Sequence, residues 1–338
     1  MKLLSVAVPC YNSQDYMRKC VDCLLQGGDR VEIIIVDDGS KDNTAAIADE
    51  YAQKYPDIVR AVHQENAGHG GAVNTGLAHA QGIYFKVVDS DDWVDVNAFH
   101  KILDTLEELI KNGSSIDMMI SNFVYDKVGA RHKKTMHYRN AFPVGRVFNW
   151  GEMGHLWRGQ YILMHSVIYR TNLLRDCHLE LPLHTFYVDN IFVYVPLPYV
   201  KNIYYMDINF YHYFIGRSDQ SVNEANMIKR VDQQIRITKF MIDSYQVKTI
   251  ADRGLRSYMS SYMEIMMAIS SIFLIKAHSP EALDKKRELW CYLKSKDVWL
   301  YRRIRLGMMG VSMNLPGKGG RKMTEIGYAI TRRFYGFN

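Results

Sequence analysis

The first third of this chain alternates between short runs of apolar, β-branched residues and longer segments with a helical spacing of apolar residues. The short runs are apolar throughout, which is typical of strands buried on both faces. Strands are predicted at residues 2–8, 31–36, 58–62, 84–88 and 117–123, and helices at 13–26, 44–55, 71–80 and 99–111. This alternation predicts an α/β fold, a Rossmann-like, mostly parallel sheet flanked by helices.

Four polar clusters follow the predicted strands, at residues 8–12, 37–40, 66–76 and 89–92. In an open parallel sheet the carboxyl ends of the strands lie along one edge, and ligands bind in the crevice there. We therefore expect the four clusters to converge on a crevice lined with carboxylates. Such a crevice suits a divalent cation, and a bound cation suits a diphosphate. The arrangement favours an enzyme that acts on a nucleotide-sugar.

The same clusters resemble glycosyltransferase family 2, whose members have the GT-A fold. Residues 5–12 resemble the first strand and loop of that family, and residues 36–44 resemble its DDGSxDxT segment. Residues 66–76 are similar to its NxG…AxNxG loop, and residues 89–92 match its DxDD metal motif. The four motifs occur in the family's order and spacing. The resemblance is strong to Asp95, moderate to Ser221 and poor beyond.

A divalent metal, Mn²⁺ or Mg²⁺, is the first implication of the resemblance. Residues two apart in an extended segment project to the same side, so Asp89 and Asp91 are expected to face one ligand. The resemblance implies that Asp91 binds the metal and that Asp89 lies in the metal shell or at the ribose. The alternative is an acidic turn that caps the following helix.

Nucleotide contacts are the second implication. Asp38 is expected to accept a hydrogen bond from the base, and Tyr11 to stack on that base. Pro9 is expected to shape the loop and to offer its carbonyl. Asn66 and Gly68 are expected to approach the nucleotide, since glycine permits close backbone contact.

Two further positions complete the predicted site. The family often has an arginine where this chain has Val73, and Arg217 is expected to compensate at the diphosphate. The family also places an acidic pair, which includes the catalytic base, about a hundred residues after the metal motif. Asp189 matches the second acid of that pair, although Val188 replaces the usual glutamate. The alternative for Asp189 is a cap of a helix at residues 190–195.

Helical spacing returns in the last third of the chain, with helices predicted at residues 227–245, 255–275 and 280–294. We predict a GT-A catalytic domain at residues 1–222, made of a nucleotide-sugar-binding part, 1–95, and an acceptor-side part, 96–222. Residues 223–338 are predicted to form a mainly helical subdomain with a basic tail. The tail, residues 301–338, holds eight Lys or Arg and one acid, Glu325.

Composition narrows the class of protein. A hydrophobic fraction of 48% and a charged fraction of 23% favour a globular core over disorder. Five cysteines at irregular spacing indicate free thiols in a reducing cytosol, not a disulfide framework or a zinc site. The formal net charge of +6 is mild, and no nucleic-acid partner is expected.

Localisation is predicted from three features. No signal peptide is visible, and the most apolar stretch, residues 265–275, is too short to span a bilayer. The basic and aromatic residues of the tail predict peripheral attachment of a cytoplasmic protein to the inner face of the plasma membrane. A solvated tail or a subunit contact is the alternative, and the oligomeric state is left open.

The sequence thus predicts a metal-dependent, inverting glycosyltransferase that moves a hexose from a UDP-sugar to a saccharide or lipid-linked acceptor in cell-surface polysaccharide synthesis. A sugar nucleotidyltransferase is one alternative, but those enzymes usually carry an early loop rich in glycine and arginine. Residues 9–14 contain neither glycine nor a basic residue. A non-catalytic nucleotide- or sugar-binding module is the other alternative, and the intact acidic motif and the candidate base argue against it.

Overall fold

The computed structural model describes residues 2–127, 129, 133–157, 159–216 and 224–335, with side chains described only to residue 331. The chain divides into two compact units, Met1–Ile215 and Gly216–Asn338. The first unit combines strands and helices, whereas the described part of the second unit is helical.

One mixed sheet organises the first unit, and its described part contains ten strands. They are β1 (Leu4–Cys10), β2 (Val31–Asp37), β3 (Val59–His63), β4 (Tyr84–Val87), β5 (Trp93–Val94), β6 (Met118–Lys127), β7 (Lys134–Met136), β8 (Val147–Phe148), β9 (Val167–Arg170) and β10 (Ile203–Ile215). The strand order is β3-β2-β1-β4-β9-β6-β10-β5, with β7 paired to β6 and β8 paired to β10. Six strands run in one direction, and β9 lies antiparallel between β4 and β6. The predicted α/β class with a mostly parallel sheet is confirmed.

Helices connect most of these strands. They are α1 (Met17–Leu25), α2 (Thr44–Lys54), α3 (Gly68–His79), α4 (Val96–Lys111), α5 (Thr171–Asp176) and α6 (Asp189–Tyr194). Helix α1 begins four residues later than predicted, because the Ser13 carbonyl accepts the N–H groups of Tyr16 and Met17 in a preceding turn. Helix α4 begins three residues earlier than predicted, because the Asp95 side chain accepts a hydrogen bond from the Ala98 N–H as an N-cap.

The core of the first unit lies on both faces of the central strands. Every residue of β1 and β2 is buried, as the apolar runs predict. Helix α3 packs closely on β1: a Cβ added to Gly76 would lie 2.5 Å from the Cβ of Ala7. That contact leaves room only for glycine and fixes the distance between α3 and the sheet.

The second unit is a bundle of helices. They are α7 (Glu224–Lys229), α8 (Val231–Ser244), α9 (Arg253–Lys276), α10 (Pro280–Lys296), α11 (Val298–Leu306), α12 (Met308–Met313) and α13 (Gly317–Tyr335). The helix predicted at residues 227–245 is therefore two helices, and the predicted tail is largely helical.

Helix α9 runs for 24 residues, so the prediction that the apolar stretch around residues 265–275 is too short to span a bilayer is wrong. By length and composition α9 meets the requirement for crossing a membrane. However, 78% of the apolar 18-residue segment of α9 is buried inside the structure. The core helix of a water-soluble bundle is equally long, apolar and buried. Helices α8, α10, α11, α12 and α13 all contact it.

Candidate active site

The polar clusters that follow β1, β2 and β4 meet at one edge of the sheet. Cys10 and Asp37, the last residues of β1 and β2, are paired in register. The Asn12 N–H donates to the Ser40 hydroxyl at 3.0 Å, and the Ser13 and Ser90 hydroxyls are 2.8 Å apart. The convergence predicted for the carboxyl ends of parallel strands is therefore present.

Asp38 is buried and anchors the loop of residues 64–68, which we call the Asp38 loop. Its carboxylate accepts hydrogen bonds from the Gln64 side chain at 2.7 Å, the Ala67 N–H at 2.7 Å and the Gly68 N–H at 2.8 Å. Asn66 donates to the Asp38 carbonyl at 2.9 Å. These bonds explain why α3 begins at Gly68, three residues earlier than predicted. A carboxylate accepts about four hydrogen bonds, so Asp38 keeps room for about one more.

Gly68 has a φ of +78°, a conformation that favours glycine. An added Cβ would lie 2.9 Å from the backbone N and Cα of His184, so the close contact at this position is with the chain itself. Pro9 is buried in β1 opposite Val36, whereas the Tyr11 side chain at the end of β1 is 51% exposed. The nucleotide contacts of Pro9, Tyr11, Asp38, Asn66 and Gly68 remain predictions.

Residues 89–92 form a tight turn, which we call the acidic turn. The Asp92 N–H donates to the Asp89 carbonyl at 2.9 Å, so the segment is not extended. The argument that Asp89 and Asp91 face one ligand because they lie two residues apart in an extended segment is therefore wrong. The turn instead brings together Asp89, Asp92 and His165, whose potential ligand atoms all lie within 4.8 Å of one another. Asp91, which lies between Asp89 and Asp92 in the sequence, is half-buried.

Asp92 secures the acidic turn to β10. Its carboxylate accepts hydrogen bonds from the Tyr211 hydroxyl at 2.5 Å and the Phe214 N–H at 2.7 Å. The Tyr211 hydroxyl in turn accepts the Asp89 N–H at 3.2 Å. Burial, followed by the charges of Asp91 and Asp89, raises the pKa of Asp92 well above its usual value. Asp92 is thus a structural group whose two oxygens are already in use.

Asp89 forms an ion pair with His69, whose Nε2 lies 2.7 Å from Oδ1 of the carboxylate. Burial alone would raise the pKa of Asp89, but His69 holds it below its usual value. Burial alone would lower the pKa of His69, and the Asp89 carboxylate raises it instead. Asp89 is therefore ionised at neutral pH.

His165 is the unusual member of this group. Its side chain is buried, and neither ring nitrogen has a hydrogen-bond partner among the described residues. Its Nε2 lies 4.0 Å from Oδ2 of Asp89 and 4.0 Å from Oδ2 of Asp92. Burial lowers the pKa of His165 to about 4, so the imidazole is neutral. A neutral imidazole beside an ionised carboxylate is a donor set that fits a divalent transition-metal cation.

Lys86 lies behind the acidic turn, fully buried on β4. Its Nζ donates to the carbonyls of His165 at 2.9 Å and Val167 at 3.3 Å. Burial lowers the pKa of Lys86 to about 7, although the charges of Asp89 and Asp92 oppose this shift. The lysine therefore ties β4 to the segment that carries His165.

Asp189, the candidate base, is the first residue of α6, and Val188 is the N-cap, so the alternative of an Asp189 cap on the helix does not hold. Burial raises the pKa of Asp189 to about 6; the charge of His69 lowers it and that of Asp89 raises it. Asp189 is thus near enough to the His69–Asp89 pair to interact with both charges. Its catalytic role remains a prediction.

The loop before Asp189 is held against α3. Asn74 donates to the Leu181 carbonyl and accepts the Leu181 N–H, both at 2.9 Å, and the His184 N–H donates to the Ala67 carbonyl at 2.8 Å. His184 and Tyr187 have φ values of 48° and 67°, a strained conformation for residues with a Cβ. Such strain is often found at functional sites.

Two predicted features do not join this group. Val73 is buried in α3, so a longer side chain there would have to leave the core to reach the crevice. Arg217, predicted to compensate for Val73, falls in residues 217–223, outside the described part of the chain.

Four residues of this site were missed from the sequence. Lys86 had a signal, since a lysine within an otherwise apolar predicted strand needs a buried partner. His69 lay inside a recognised motif without a role. His165 and Tyr211 carried no local signal, because the folding of distant segments brings them to the acidic turn.

Comparisons with known proteins agree with this geometry. Residues 5–159 match the family model "Glycosyl transferase family 2". EpsH of Bacillus subtilis is 30% identical over 237 residues, which are 64% of this chain and 61% of EpsH. The minor teichoic acid biosynthesis protein GgaB of Bacillus subtilis is 34% identical over 107 residues, 31% of this chain and 12% of GgaB. The chain thus spans about three fifths of EpsH and far less of GgaB.

Among solved structures, S. aureus TarS 1–349 in complex with UDP-GlcNAc has a TM-score of 0.68 and 17% identity. The match covers 97% of this chain and 92% of that one. It shows that the α/β sheet with a C-terminal helical region is a GT-A fold of the TarS type. On the matched motifs, the family model and the related sequences, residues 5–159 of the chain belong to glycosyltransferase family 2.

Proposed function

We propose that this chain transfers one sugar from a UDP-sugar to a hydroxyl group of a saccharide or lipid-linked acceptor, with inversion at the anomeric carbon. The observation that carries the proposal is Asp189, a carboxylate with a raised pKa held beside the ion pair of the acidic turn. A base needs a pKa not far below the working pH, and a value of about 6 meets that requirement.

The proposed reaction is a single displacement. The acceptor oxygen forms a bond to the anomeric carbon while the bond from that carbon to the diphosphate oxygen breaks. Asp189 accepts the proton of the acceptor hydroxyl, and the nucleoside diphosphate leaves with the bonding electron pair. The strained loop before Asp189 positions the carboxylate through its hydrogen bonds to α3.

A divalent cation, Mn²⁺ or Mg²⁺, would stabilise the charge that develops on the leaving diphosphate. Asp89 and Asp91 are the residues that the family pattern assigns to it, and His165 is the buried nitrogen donor next to Asp89. Asp92 is a weaker candidate because both of its oxygens accept hydrogen bonds within the protein.

The choice of donor and acceptor rests on relatives. The TarS structure contains UDP-GlcNAc, so this compound is the first donor to test. GgaB takes part in teichoic acid biosynthesis by its name, which supports an acceptor in a cell-surface polymer. The Asp38 loop and the exposed Tyr11 ring at the sheet edge would bind the uridine.

A panel of nucleotide-sugars incubated with acceptor glycans and Mn²⁺ tests the proposal, with separate detection of UDP and pyrophosphate. Release of UDP with formation of a glycosylated product supports sugar transfer. Release of pyrophosphate would make the protein a nucleotidyltransferase, and binding without turnover across the panel would make it a binding module. Asp176→Asn, which changes an exposed carboxylate on α5, is the matched control for Asp189→Asn.

A further inference from the structure

Among the described side chains of helix α13, one face packs on the helical bundle and another is apolar and exposed. Thr324 on the packed face is buried and donates to the Ser312 carbonyl of α12 at 2.6 Å. The Tyr328 ring contacts Phe273 of α9 with ring centres 6.2 Å apart. Positions 324 and 328 lie one turn apart, so this face points into the helical bundle.

The opposite face of α13 is apolar and exposed. Met323, Ile326 and Ile330 are 65%, 52% and 53% exposed. Their spacing of three and four residues places them on one stripe of the helix, on the side away from Thr324. An ordinary surface helix has polar residues on this side, so the stripe needs a partner to cover it.

Neighbouring helices add to the exposed apolar surface. Leu306, Met308 and Val311, at the end of α11 and along α12, are 78%, 61% and 45% exposed. Among the described residues, six of the fifteen large apolar side chains that are exposed therefore fall between residues 306 and 330. Single exposed apolar residues are common on protein surfaces, but a concentration of this kind marks an interaction site.

Basic residues are concentrated in the same stretch of the chain. Residues 301–338 hold eight Lys or Arg and one acid, and Lys318 and Lys322 are exposed beside the apolar stripe. The basic side chains are close enough to interact with one another. Burial, followed by the charges of Arg305 and Arg321, lowers the pKa of Lys286 to about 8. Exposed apolar side chains flanked by basic residues complement the anionic surface of a lipid bilayer.

We propose that residues 306–330 form a membrane-docking surface that lies on anionic bilayers, with Met323, Ile326 and Ile330 inserted among the lipids. The basic side chains contact the lipid phosphates from the edge of the stripe. The helix lies in the plane of the interface and does not cross the bilayer, because its other face packs on α9 and α12. The surface needs no residue of the candidate active site.

Co-sedimentation of the full chain with phosphatidylcholine vesicles, with and without phosphatidylglycerol, tests this surface. The wild type is expected to bind the anionic vesicles and to be released by salt. The triple variant Met323→Gln, Ile326→Gln, Ile330→Gln is expected to lower the partition coefficient about tenfold or more. Lys318→Glu with Lys322→Glu is expected to lower it by about fivefold for each basic side chain removed.

Ile110→Gln, at an exposed isoleucine of α4 in the first unit, is the matched control and should bind like the wild type. Thermal melting of each variant checks that it is folded, which is expected because the changed side chains are exposed. Equal binding by the wild type and the triple variant would overturn the proposal. Equal binding of the wild type to vesicles with and without phosphatidylglycerol would overturn it as well. Loss of self-association in the triple variant without vesicle binding by the wild type would identify the surface as an interface between two copies.

Discussion

The Asp38 loop and the acidic turn lie at the same edge of the sheet, but their buried polar groups differ in how fully they are hydrogen-bonded within the protein. In the Asp38 loop one buried carboxylate accepts three hydrogen bonds from the loop that it holds. In the acidic turn, three carboxylates crowd together, and a buried imidazole beside them has no hydrogen-bond partner among the described residues. The polar groups of the first region are hydrogen-bonded within the protein, whereas the second region keeps a buried imidazole without such a bond among the described residues.

The pKa shifts follow the same division. Burial displaces the pKa of Lys86 to about 7, of His165 to about 4 and of Asp189 to about 6, all at or near the acidic turn. Buried ionisable groups with strongly shifted pKa values lower the stability of the folded protein, and they are concentrated at sites where catalysis or binding uses them. We therefore expect substitutions in the Asp38 loop to affect mainly stability and substrate binding, and substitutions near the acidic turn to affect mainly turnover and metal affinity.

Asp189→Asn should have the largest effect on turnover. Removing a general base is expected to lower kcat by about 10²–10⁴, because the acceptor hydroxyl is a weak nucleophile at neutral pH. In the wild type, kcat/KM should rise with pH through about 6 as Asp189 loses its proton, and the variant should lack this step. A variant within a few-fold of the wild type would place the base elsewhere.

The same substitution should also raise stability at neutral pH. The folded-state pKa of Asp189 is about 6, above the ordinary value of 3.8, so the folded protein favours the protonated carboxyl. Its contribution to the free energy of unfolding is greatest below about pH 4 and is lost as pH rises through 6. Asparagine resembles the protonated form, so the Tm of the variant should exceed that of the wild type at pH 7 and equal it at pH 4. A lower Tm at pH 7 would contradict the raised pKa.

His165→Gln is expected to have the next largest effect, on metal affinity. Loss of a donor or of its support at a metal site typically costs about 10–100-fold in affinity. Titration of Mn²⁺ followed by electron paramagnetic resonance measures this directly, without turnover. His212→Gln is the control, because the His212 imidazole lies 3.2 Å from the Asp126 carboxylate and is not part of the group formed by Asp89, Asp92 and His165. Equal Mn²⁺ affinity in both variants would remove His165 from the metal site.

Asp38→Asn should act mainly on stability. An asparagine amide offers one oxygen and one donor nitrogen, so it cannot accept the N–H groups of both Ala67 and Gly68 in the wild-type way. A buried N–H left without its acceptor costs about 1–3 kcal/mol, which chemical denaturation would show as a lower free energy of unfolding. Turnover at saturating donor should change less than the KM for the donor. A large fall in kcat with unchanged stability would contradict the contrast between the two regions.

Tyr211→Phe should give the smallest effect. It removes the hydroxyl that links Asp92 to the Asp89 N–H, at a cost of about 1 kcal/mol for a neutral hydrogen bond and somewhat more for one to a charged group. We expect metal affinity to fall by no more than about tenfold. Tyr205→Phe is the matched control, since its buried hydroxyl bonds to Asn122 and Asp207 away from the turn. Similar metal affinity in both variants would show that Tyr211 does not position the turn.

Local sequence patterns predicted much of the fold of the first unit. Fully apolar runs identified β1 and β2 because parallel strands are buried on both faces. Helix starts were less accurate where distant groups decide them, as with α3, whose first residue is held by Asp38, the residue that follows β2. The reversed strand β9 gave no distinct pattern, because its partners β4 and β6 are far from it along the chain.

The candidate site divides in the same way. Asp38, Asp89 and Asp189 could be proposed from the sequence because each lies in a short motif that has a spacing of its own. His165 was not found, because its importance depends on its three-dimensional distance from Asp89 and on its burial. The turn at residues 89–92 was mistaken for an extended segment, because the sequence of these residues does not reveal the hydrogen bond that closes the turn.

The paired hydrogen bonds between Asn74 and Leu181 have a consequence for how this protein can vary. Together with the contact of Gly68 on the backbone of His184, they hold helix α3 and the loop before Asp189 together as one rigid element. A chimera that takes residues 1–95 from one relative and the rest from another must keep both contacts, or its two halves will not fit. Exchange of acceptor specificity between relatives should therefore succeed when the boundary keeps residues 66–76 and 181–189 from the same parent.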